Sequence, residues 1–340
     1  MRKVVSLDGQ EHPLDLVQQK LLKKAGAEWF NSHCVTEEET IEAARDADGV
    51  LFSDAPLTER VLKSLPKCKF AIRYGIGMNN IDVNAATRLG MVVANVPDAF
   101  TDEVANHGLA MLLALGRSLF PYDRAMHSGD WNLPETKALW NGSVIGAHPL
   151  HGETVGIVGF GRIGQSLAKK CLSMRMEVLA YDPLISKDLI SKKKCKPSAL
   201  KKMIQQADYL VLSCPLTDST RKLIGETELK QMKRTAYLIN IARGDIVDEA
   251  ALEKALRENW IAGAGLDVFS VEPITNSNPF RPLNNVILTP HAGSYSPVAY
   301  QKLRDTVVEQ AVQILKGQWP TYLYNEEIKG HLRINKLWKE

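Results

Sequence analysis

A glycine-rich stretch in the middle of the chain constrains the fold more than any other feature. In Val155-Gly-Ile-Val-Gly-Phe-Gly-Arg-Ile-Gly164, the pattern Gly-x-Gly-x-x-Gly directly follows an apolar, β-branched run and precedes an amphipathic segment. This order predicts a strand, a tight turn and a helix that together bind a dinucleotide. Gly159 permits the sharp turn, Gly161 lets the backbone approach a pyrophosphate, and Gly164 lets the helix pack closely on the sheet. The first helical turn, Arg162-Ile163, offers N–H groups to the phosphates.

An acidic residue at the end of the next predicted strand favours this interpretation over an ordinary βα turn. Asp182 follows Glu177-Val-Leu-Ala-Tyr181 and lies 18 residues beyond Gly164. A carboxylate there can accept hydrogen bonds from both hydroxyls of an adenine ribose, and it repels the 2′-phosphate of NADP. The predicted cofactor is therefore NAD, with NADP disfavoured. Lys187 and the run Lys192–Lys194 could still reach a phosphate, but a solvated loop or helix edge is the favoured interpretation.

Composition excludes several classes of protein. The 340 residues, 45% hydrophobic and 24% charged, are typical of a globular protein with two domains. A net charge of +3 gives no reason to expect nucleic acid or a membrane surface as a partner. The longest apolar run, near 108–116, is too short to span a membrane, and the N-terminus lacks a signal-peptide pattern.

The cysteines indicate a reduced compartment. They are odd in number, and no two have Cys-x-x-Cys spacing: Cys34, Cys68, Cys171, Cys195 and Cys214. We therefore expect a cytoplasmic protein without disulfides or a bound metal.

Short apolar runs alternate with helical patterns on both sides of the glycine-rich turn. The runs are Val4–Leu7, Gly49–Leu51, Phe70–Arg73 and Met91–Ala94 before it, and Tyr209–Leu212, Tyr237–Asn240, Ile261–Leu266 and Val286–Leu288 after it. Such alternation predicts parallel sheets with right-handed crossovers. We therefore predict an α/β protein of two parallel-sheet, doubly wound domains, with an active site in the cleft between them.

Two long helical patterns are predicted to connect the domains. One runs from about Asp102 to Leu119 with Thr101 as N-cap, and the other runs from Pro297 to Leu315. If the second helix returns to the first domain, that domain is discontinuous. The prediction is a substrate domain of residues 1–100 and 294–330 and a cofactor domain of residues 101–293. The polar segment after the second helix is expected to be loosely held.

Three polar side chains follow predicted strands of the second half, namely His291, Arg243 and Glu272. Ligands of open α/β sheets bind at the carboxyl ends of strands. Redox chemistry at a hydroxyl or keto group also needs a group that moves a proton near neutral pH and a cation that holds the substrate. Each residue alone could be structural, as a capped histidine, a surface ion pair or a loop acid. Their convergence on strand ends favours a site.

Four motifs occur in a characteristic order. They are the glycine-rich fingerprint, Asn240-Ile-Ala-Arg-Gly-Asp-Ile-Val-Asp-Glu249, Gly265-Leu-Asp-Val-Phe269 with Glu272-Pro273, and Thr289-Pro-His291. In these motifs, and along nearly its whole length, the chain resembles the D-isomer-specific 2-hydroxyacid dehydrogenases. The resemblance implies a Rossmann NAD-binding domain inserted in a flavodoxin-like substrate domain. It also implies hydride transfer between nicotinamide and a small 2-hydroxy or 2-keto acid.

The resemblance further implies individual roles. His291 is expected to be the general acid/base, Glu272 to hold its imidazole in one tautomer, and Arg243 to bind the substrate carboxylate. Asp267 matches the position that meets the nicotinamide amide. The segments expected to line the cofactor contain Ile241, Cys214 and Pro215, and the loop expected to bind the substrate carboxylate through its backbone is Gly75, Ile76 and Gly77. Cys214 could also be a nucleophile, but a small residue in the cofactor wall is the favoured interpretation, since a Cys-based mechanism would need a histidine or cation beside it.

The sequence leaves the identity of the substrate and the functional class of the protein partly open. Relatives reduce glyoxylate, hydroxypyruvate, phosphohydroxypyruvate, pyruvate or bulkier 2-keto acids, and a glutamate at 272 argues against the formate-oxidising branch. Arg73 could face a substrate phosphate or form a structural ion pair. NAD-binding corepressors are the alternative class, and the absence of long disordered tails favours an enzyme. Either class is expected to form a homodimer through the helix after Thr101 and residues 121–150, where Trp131 and Trp140 are expected to pack in the core or the interface.

Overall fold

A computed structural model describes residues 1–129, 149–330, 332 and 334–338. The chain divides into two compact units, Met1–Phe100 with Ser296–Glu340, and Thr101–Tyr295. Most of the segment expected to form the dimer contact, including Trp131 and Trp140, lies outside the described residues. Among the described residues, none of the helices combines the length and the apolar character needed to cross a bilayer.

The first unit contains a five-stranded parallel sheet in the order β2-β1-β3-β4-β5. Its strands are β1 (Arg2–Ser6), β2 (Ala27–Asn31), β3 (Gly49–Phe52), β4 (Phe70–Arg73) and β5 (Val92–Ala94). Its helices are α1 (Leu16–Lys24), α2 (Glu37–Ala44), α3 (Glu59–Lys63), α4 (Val83–Arg88) and, after the second unit, α12 (Pro297–Leu315). This order is the flavodoxin-like one, and it makes the loops that follow β3 and β4 neighbours at one edge of the sheet.

The segment after α12 packs firmly through residue 330, so the expectation of a loosely held tail is wrong there. Asn325 is fully buried, accepts a hydrogen bond from Val93 N at 2.9 Å, and donates to Met91 O at 3.0 Å and Thr87 Oγ1 at 2.9 Å. One amide side chain therefore satisfies backbone groups at the outer strand β5. The polar sequence after α12 carries no local pattern that would predict this buried contact.

The second unit contains a seven-stranded parallel sheet in the order β12-β11-β10-β9-β6-β7-β8. Its strands are β6 (Thr154–Val158), β7 (Glu177–Tyr181), β8 (Lys196–Pro197), β9 (Tyr209–Leu212), β10 (Tyr237–Asn240), β11 (Gly263–Leu266) and β12 (Val286–Leu288). Its helices are α5 (Thr101–Gly116), α6 (Leu119–His127), α7 (Arg162–Ser173), α8 (Lys187–Lys192), α9 (Leu200–Gln206), α10 (Glu226–Gln231) and α11 (Glu249–Arg257). The order reverses between β6 and β9, which is the switch point where a Rossmann sheet binds its ligand. The predicted α/β class with two parallel, doubly wound sheets is confirmed.

The first long helix differs from its prediction at both ends. Thr101 is itself the first helical residue and its hydroxyl makes no hydrogen bond, so its predicted role as N-cap is wrong. The helix α5 ends at Gly116, and Ser118 adopts a left-handed conformation (φ 51°) before α6 begins. Near its middle α5 lies very close to the sheet, since a Cβ atom at Gly108 would lie 2.8 Å from Ile241 Cδ1. This close packing brings α5 beside the residues that follow β10 and β11.

Candidate active site

Two glycines of the fingerprint are required by contacts within the protein. Gly159 has φ +92°, and a Cβ atom there would lie 2.5 Å from the backbone nitrogen of Cys214. A Cβ atom at Gly164 would overlap the carbonyl oxygen of Gly159. The turn after β6 therefore packs directly on the turn after β9, at the point where the strand order reverses.

Gly161 is different, because nothing in the protein requires a glycine there. Its backbone is extended (φ −70°, ψ −160°), and a Cβ atom would have no neighbour within 4 Å. It is the N-cap of α7, and no side chain caps that helix end. The open space beside Gly161 and the N–H groups of Arg162-Ile163 thus fit a pyrophosphate approaching from outside the protein.

Asp182 is fixed beside this turn by the backbone. Its Oδ2 accepts a hydrogen bond from Phe160 N at 2.8 Å, and its Oδ1 accepts one from Leu184 N at 2.9 Å. A carboxylate has about four acceptor positions, so two are left for ribose hydroxyls. Lys187 and Lys192–Lys194 are exposed in and just after α8.

His291 and Glu272 form a hydrogen-bonded pair. His291 Nδ1 lies 2.8 Å from Glu272 Oε2, and Glu272 Oε1 accepts a hydrogen bond from Phe269 N at 2.8 Å. Because the carboxylate can only accept, Nδ1 must carry the proton, and Nε2 is the ring atom that remains for chemistry. The His291 side chain is 48% exposed, so a small substrate can reach it.

Glu272 also interacts electrostatically with Arg243. Burial raises the pKa of Glu272, but hydrogen bonds from His291 and Phe269 N, together with the Arg243 charge, outweigh burial and lower the pKa overall. Burial lowers the pKa of the Arg243 guanidinium, and Glu272 opposes that effect. The ionised carboxylate therefore binds the His291 ring and interacts with the Arg243 charge, and the structure brings the three predicted residues together.

The turn that carries Arg243 is held by a buried amide. Asn240 is 1% exposed; its Nδ2 donates to Arg243 O at 2.9 Å, and its Oδ1 accepts from Ala242 N at 3.0 Å. Arg243 itself donates from Nη1 to Ala242 O at 2.6 Å. The guanidinium is thus positioned directly after β10 by its own local backbone.

Asp267 makes extensive contacts with the turn that carries His291. It is 2% exposed, and it accepts hydrogen bonds from Thr289 Oγ1 at 2.6 Å, Ala292 N at 2.8 Å and Gly293 N at 2.9 Å. His107, in the middle of α5, places Nε2 2.9 Å from Thr289 Oγ1. The sequence carries no signal for His107, since no local pattern connects it with residues more than 150 positions away.

The residues expected to line the cofactor lie near the switch point. Cys214 and Ile241 are 8% and 6% exposed, and Pro215 is exposed beside Cys214. Burial raises the pKa of the Cys214 thiol to about 11, which argues against a nucleophilic thiolate. Across residues 1–129 and 149–330, no three histidine, cysteine or carboxylate side chains are grouped to hold a metal ion.

In the first unit, Gly75-Ile76-Gly77 follows β4. Gly75 has φ +139°, and its N–H already donates to Arg73 O at 3.1 Å. Asn95 Nδ2 donates to Ile76 O at 2.8 Å, and the Arg73 guanidinium donates to Gly77 O. Arg73 also lies 3.9 Å from Asp54, which favours the structural ion pair over the phosphate interpretation.

Comparisons with known proteins agree with this geometry. A model of the NAD binding domain of D-isomer specific 2-hydroxyacid dehydrogenases matches residues 109–293. A glyoxylate reductase from Thermococcus gammatolerans is 38% identical over 304 residues, covering 88% of this chain and 89% of the relative.

Two solved structures are similar over almost their whole length. A D-lactate dehydrogenase from Aquifex aeolicus, complexed with NAD and lactic acid, has 27% identity and a TM-score of 0.79, covering 97% of this chain and 98% of the other. An NADPH-dependent glyoxylate/hydroxypyruvate reductase from Sinorhizobium meliloti, complexed with NADP and malonate, has 27% identity and a TM-score of 0.79, covering 96% and 97%. The chain therefore belongs to the D-isomer specific 2-hydroxyacid dehydrogenase family, and it is an NAD-dependent oxidoreductase acting on the CH–OH group of 2-hydroxy acids.

Proposed function

We propose that the protein reduces a small, unphosphorylated 2-keto acid, with glyoxylate and hydroxypyruvate as the first candidates. The observation that carries this proposal is the His291–Glu272 pair at 2.8 Å beside Arg243. The relatives named as glyoxylate reductases and as a D-lactate dehydrogenase favour turnover over the corepressor alternative.

The three residues have complementary tasks. Bound NADH would supply the hydride. His291 Nε2 donates a proton to the keto oxygen during reduction and accepts one from the hydroxyl during oxidation. Glu272 holds Nδ1–H and stabilises the imidazolium form, while Arg243 binds the substrate carboxylate through two parallel hydrogen bonds and polarises the carbonyl.

The cofactor site is assigned to the second unit. Gly159, Gly161 and Gly164, with Arg162-Ile163, hold the pyrophosphate, and Asp182 binds the adenine ribose and selects NAD over NADP. Ile241, Cys214, Pro215 and Asp267 line the nicotinamide end. The open space at Gly161 and the two acceptor positions left on Asp182 support this assignment.

The first unit acts as the substrate domain in this proposal. Gly75, Ile76 and Gly77 bind a substrate carboxylate, with the backbone N–H groups of Ile76 and Gly77 as donors because that of Gly75 is already bonded. The acidic Asp54 beside Arg73 supports an unphosphorylated substrate, since the Asp54 carboxylate would repel a substrate phosphate there.

We also propose a cytoplasmic homodimer. All five cysteines are free and buried, which suits a reducing compartment. Leu119, Phe120 and Met126 of α6 are 54%, 45% and 49% exposed, and they supply an apolar face at the expected contact. Light scattering with NADH present tests the dimer, and a monomer at micromolar concentration contradicts it.

NADH absorbance in the presence of glyoxylate, hydroxypyruvate, pyruvate and bulkier 2-keto acids tests the function. We expect His291→Ala to lower kcat by about 10²–10⁴-fold with little change in NADH binding, as for a lost general acid/base. His33→Ala is the matched control, since His33 is also a half-exposed histidine paired with a glutamate, Glu11. Full activity in His291→Ala would refute the proton-transfer role, and absence of turnover in the wild type on every keto acid would refute the substrate class.

A further inference from the structure

The backbone at His291 adopts a conformation that must be held by its surroundings. His291 has φ +52°, in the left-handed region that residues with a side chain rarely occupy. A histidine in that conformation points its ring in a direction that an ordinary extended turn would not give. Whatever holds residues 289–293 therefore also sets where Nε2 lies.

Asp267 bonds this turn on both sides of His291. Its main-chain oxygen accepts from His291 N at 2.8 Å. Its carboxylate accepts from Thr289 on one side and from Ala292 N and Gly293 N on the other. A Cβ atom at Gly293 would lie 2.9 Å from Asp267 Oδ2, so the turn and the carboxylate are also in close contact.

His107 completes the network from a different element. Thr289 Oγ1 uses its one proton on Asp267 Oδ1 at 2.6 Å, so it can only accept from His107 Nε2 at 2.9 Å. His107 Nε2 also lies 3.3 Å from Asp267 Oδ1. The ring must therefore carry a proton on Nε2, and that one N–H group contacts both the threonine and the carboxylate.

The helix that carries His107 packs closely on the residues beside it. At the adjacent position, a Cβ atom on Gly108 would lie 2.8 Å from Ile241 Cδ1, and a Cβ atom on Gly265 of β11 would lie 3.1 Å from Met111 Sδ. His107 is 23% exposed. Its ring is thus presented to Thr289 from a helix in close contact with the sheet.

We propose that His107 is a positioning residue of the reaction: through Thr289 and Asp267 it holds the 289–293 turn, and with it the acid/base His291, in the orientation that transfers the proton. This proposal rests on the proposed function. Without His107, Asp267 keeps three donors, so the fold survives while the turn gains freedom. A displacement of about 1 Å at a reacting group can cost about 100-fold in rate.

The test compares His107→Leu with His107→Gln. Gln places its amide N–H close to the position of Nε2, whereas Leu fills similar space without a donor. We expect His107→Leu to lower kcat about 10- to 100-fold while KM and the NADH Kd change less than about threefold, and His107→Gln to retain most of kcat. Thr289→Val should lower kcat similarly, and combining it with His107→Leu should add little further loss.

Several results would overturn the proposal. Unchanged kcat in His107→Leu, equal loss in the Gln and Leu variants, or a loss explained by a matching fall in Tm would each do so. A measurement independent of activity is the two-bond ¹H–¹⁵N spectrum of histidine-labelled protein, in which His107 should show a proton on Nε2. A proton on Nδ1 alone contradicts the network even if no keto acid is turned over, so failure of this inference and failure of the proposed function can be told apart.

Discussion

A methyl group on Gly161 should weaken cofactor binding without weakening the fold. Its φ of −70° and ψ of −160° are accessible to alanine, and the added Cβ meets nothing within 4 Å. Replacing glycine at such a position restricts the unfolded chain, so we expect Gly161→Ala to leave the free energy of unfolding unchanged or to raise it by about 0.4–1 kcal/mol.

The cost should appear in the dissociation constant for NADH. The methyl group would occupy the open space at the N-terminus of α7 that we propose for the pyrophosphate. Loss of one backbone hydrogen bond to a charged group costs about 1.5–3 kcal/mol. That range corresponds to a Kd raised about 10- to 100-fold, since each 1.4 kcal/mol is about a factor of ten.

Gly164→Ala is the matched comparison, because its Cβ would collide with the Gly159 carbonyl oxygen, a backbone atom that cannot rotate away. Overpacking of this kind typically costs about 1–3 kcal/mol of stability. Urea unfolding and NADH fluorescence titration on both variants separate the two effects. Wild-type affinity in Gly161→Ala would refute the placement of the pyrophosphate, and a destabilised Gly161→Ala would refute the open space beside it.

Three further predictions concern the first unit. Burial lowers the pKa of His12 to about 4, so the unfolded chain binds more protons between pH 6.5 and 4, and the free energy of unfolding falls as pH drops through that window. The variant His12→Phe keeps the stacking on Tyr74, and it should reduce the fall in unfolding free energy between pH 7 and pH 4.5 by roughly 2–3 kcal/mol. Urea titrations at the two pH values test this, and an unchanged pH dependence would contradict it. Because the Arg73 guanidinium already donates to Gly77 O, we expect kcat/KM for phosphohydroxypyruvate to be about tenfold below that for hydroxypyruvate, which corresponds to roughly 1.4 kcal/mol. Equal kcat/KM values would instead favour a role for Arg73 in binding a substrate phosphate. Asn325→Ala leaves buried backbone groups unsatisfied and should lower the free energy of unfolding by about 2–4 kcal/mol, with an unchanged urea midpoint as the contrary result.

The strands that the sequence predicts are those with strong local signals. Phe70–Arg73, Tyr209–Leu212, Tyr237–Asn240 and Val286–Leu288 have the predicted bounds, because each is a short apolar run ended by polar or turn residues. Ala27–Asn31 was not predicted as a strand. It is an edge strand in which only Ala27 is buried, so it lacks the apolar alternation that marks a half-buried strand.

In the candidate site, too, the sequence predicts the residues that have a local signal and misses those that depend on distant contacts. The sequence identifies His291 and Arg243 as candidates because each follows an apolar strand, where open α/β sheets bind ligands, and because several such residues converge there. The break between α5 and α6 was missed because the apolar pattern continues through Leu119, although Gly116 and Pro121 flank the left-handed Ser118 and are signals of a helix boundary.

Thr289-Pro-His291 shows how a short motif depends on contacts that it does not contain. Its histidine is the proposed acid/base, but the left-handed backbone that aims the ring is held by Asp267, from the preceding strand end. Its threonine has a defined task only because His107 donates to it from α5. At the neighbouring Gly108, α5 closely approaches Ile241, the residue directly after β10. The candidate acid/base residue can therefore be read from the sequence, whereas its orientation is a property of three segments that meet only in the folded domain.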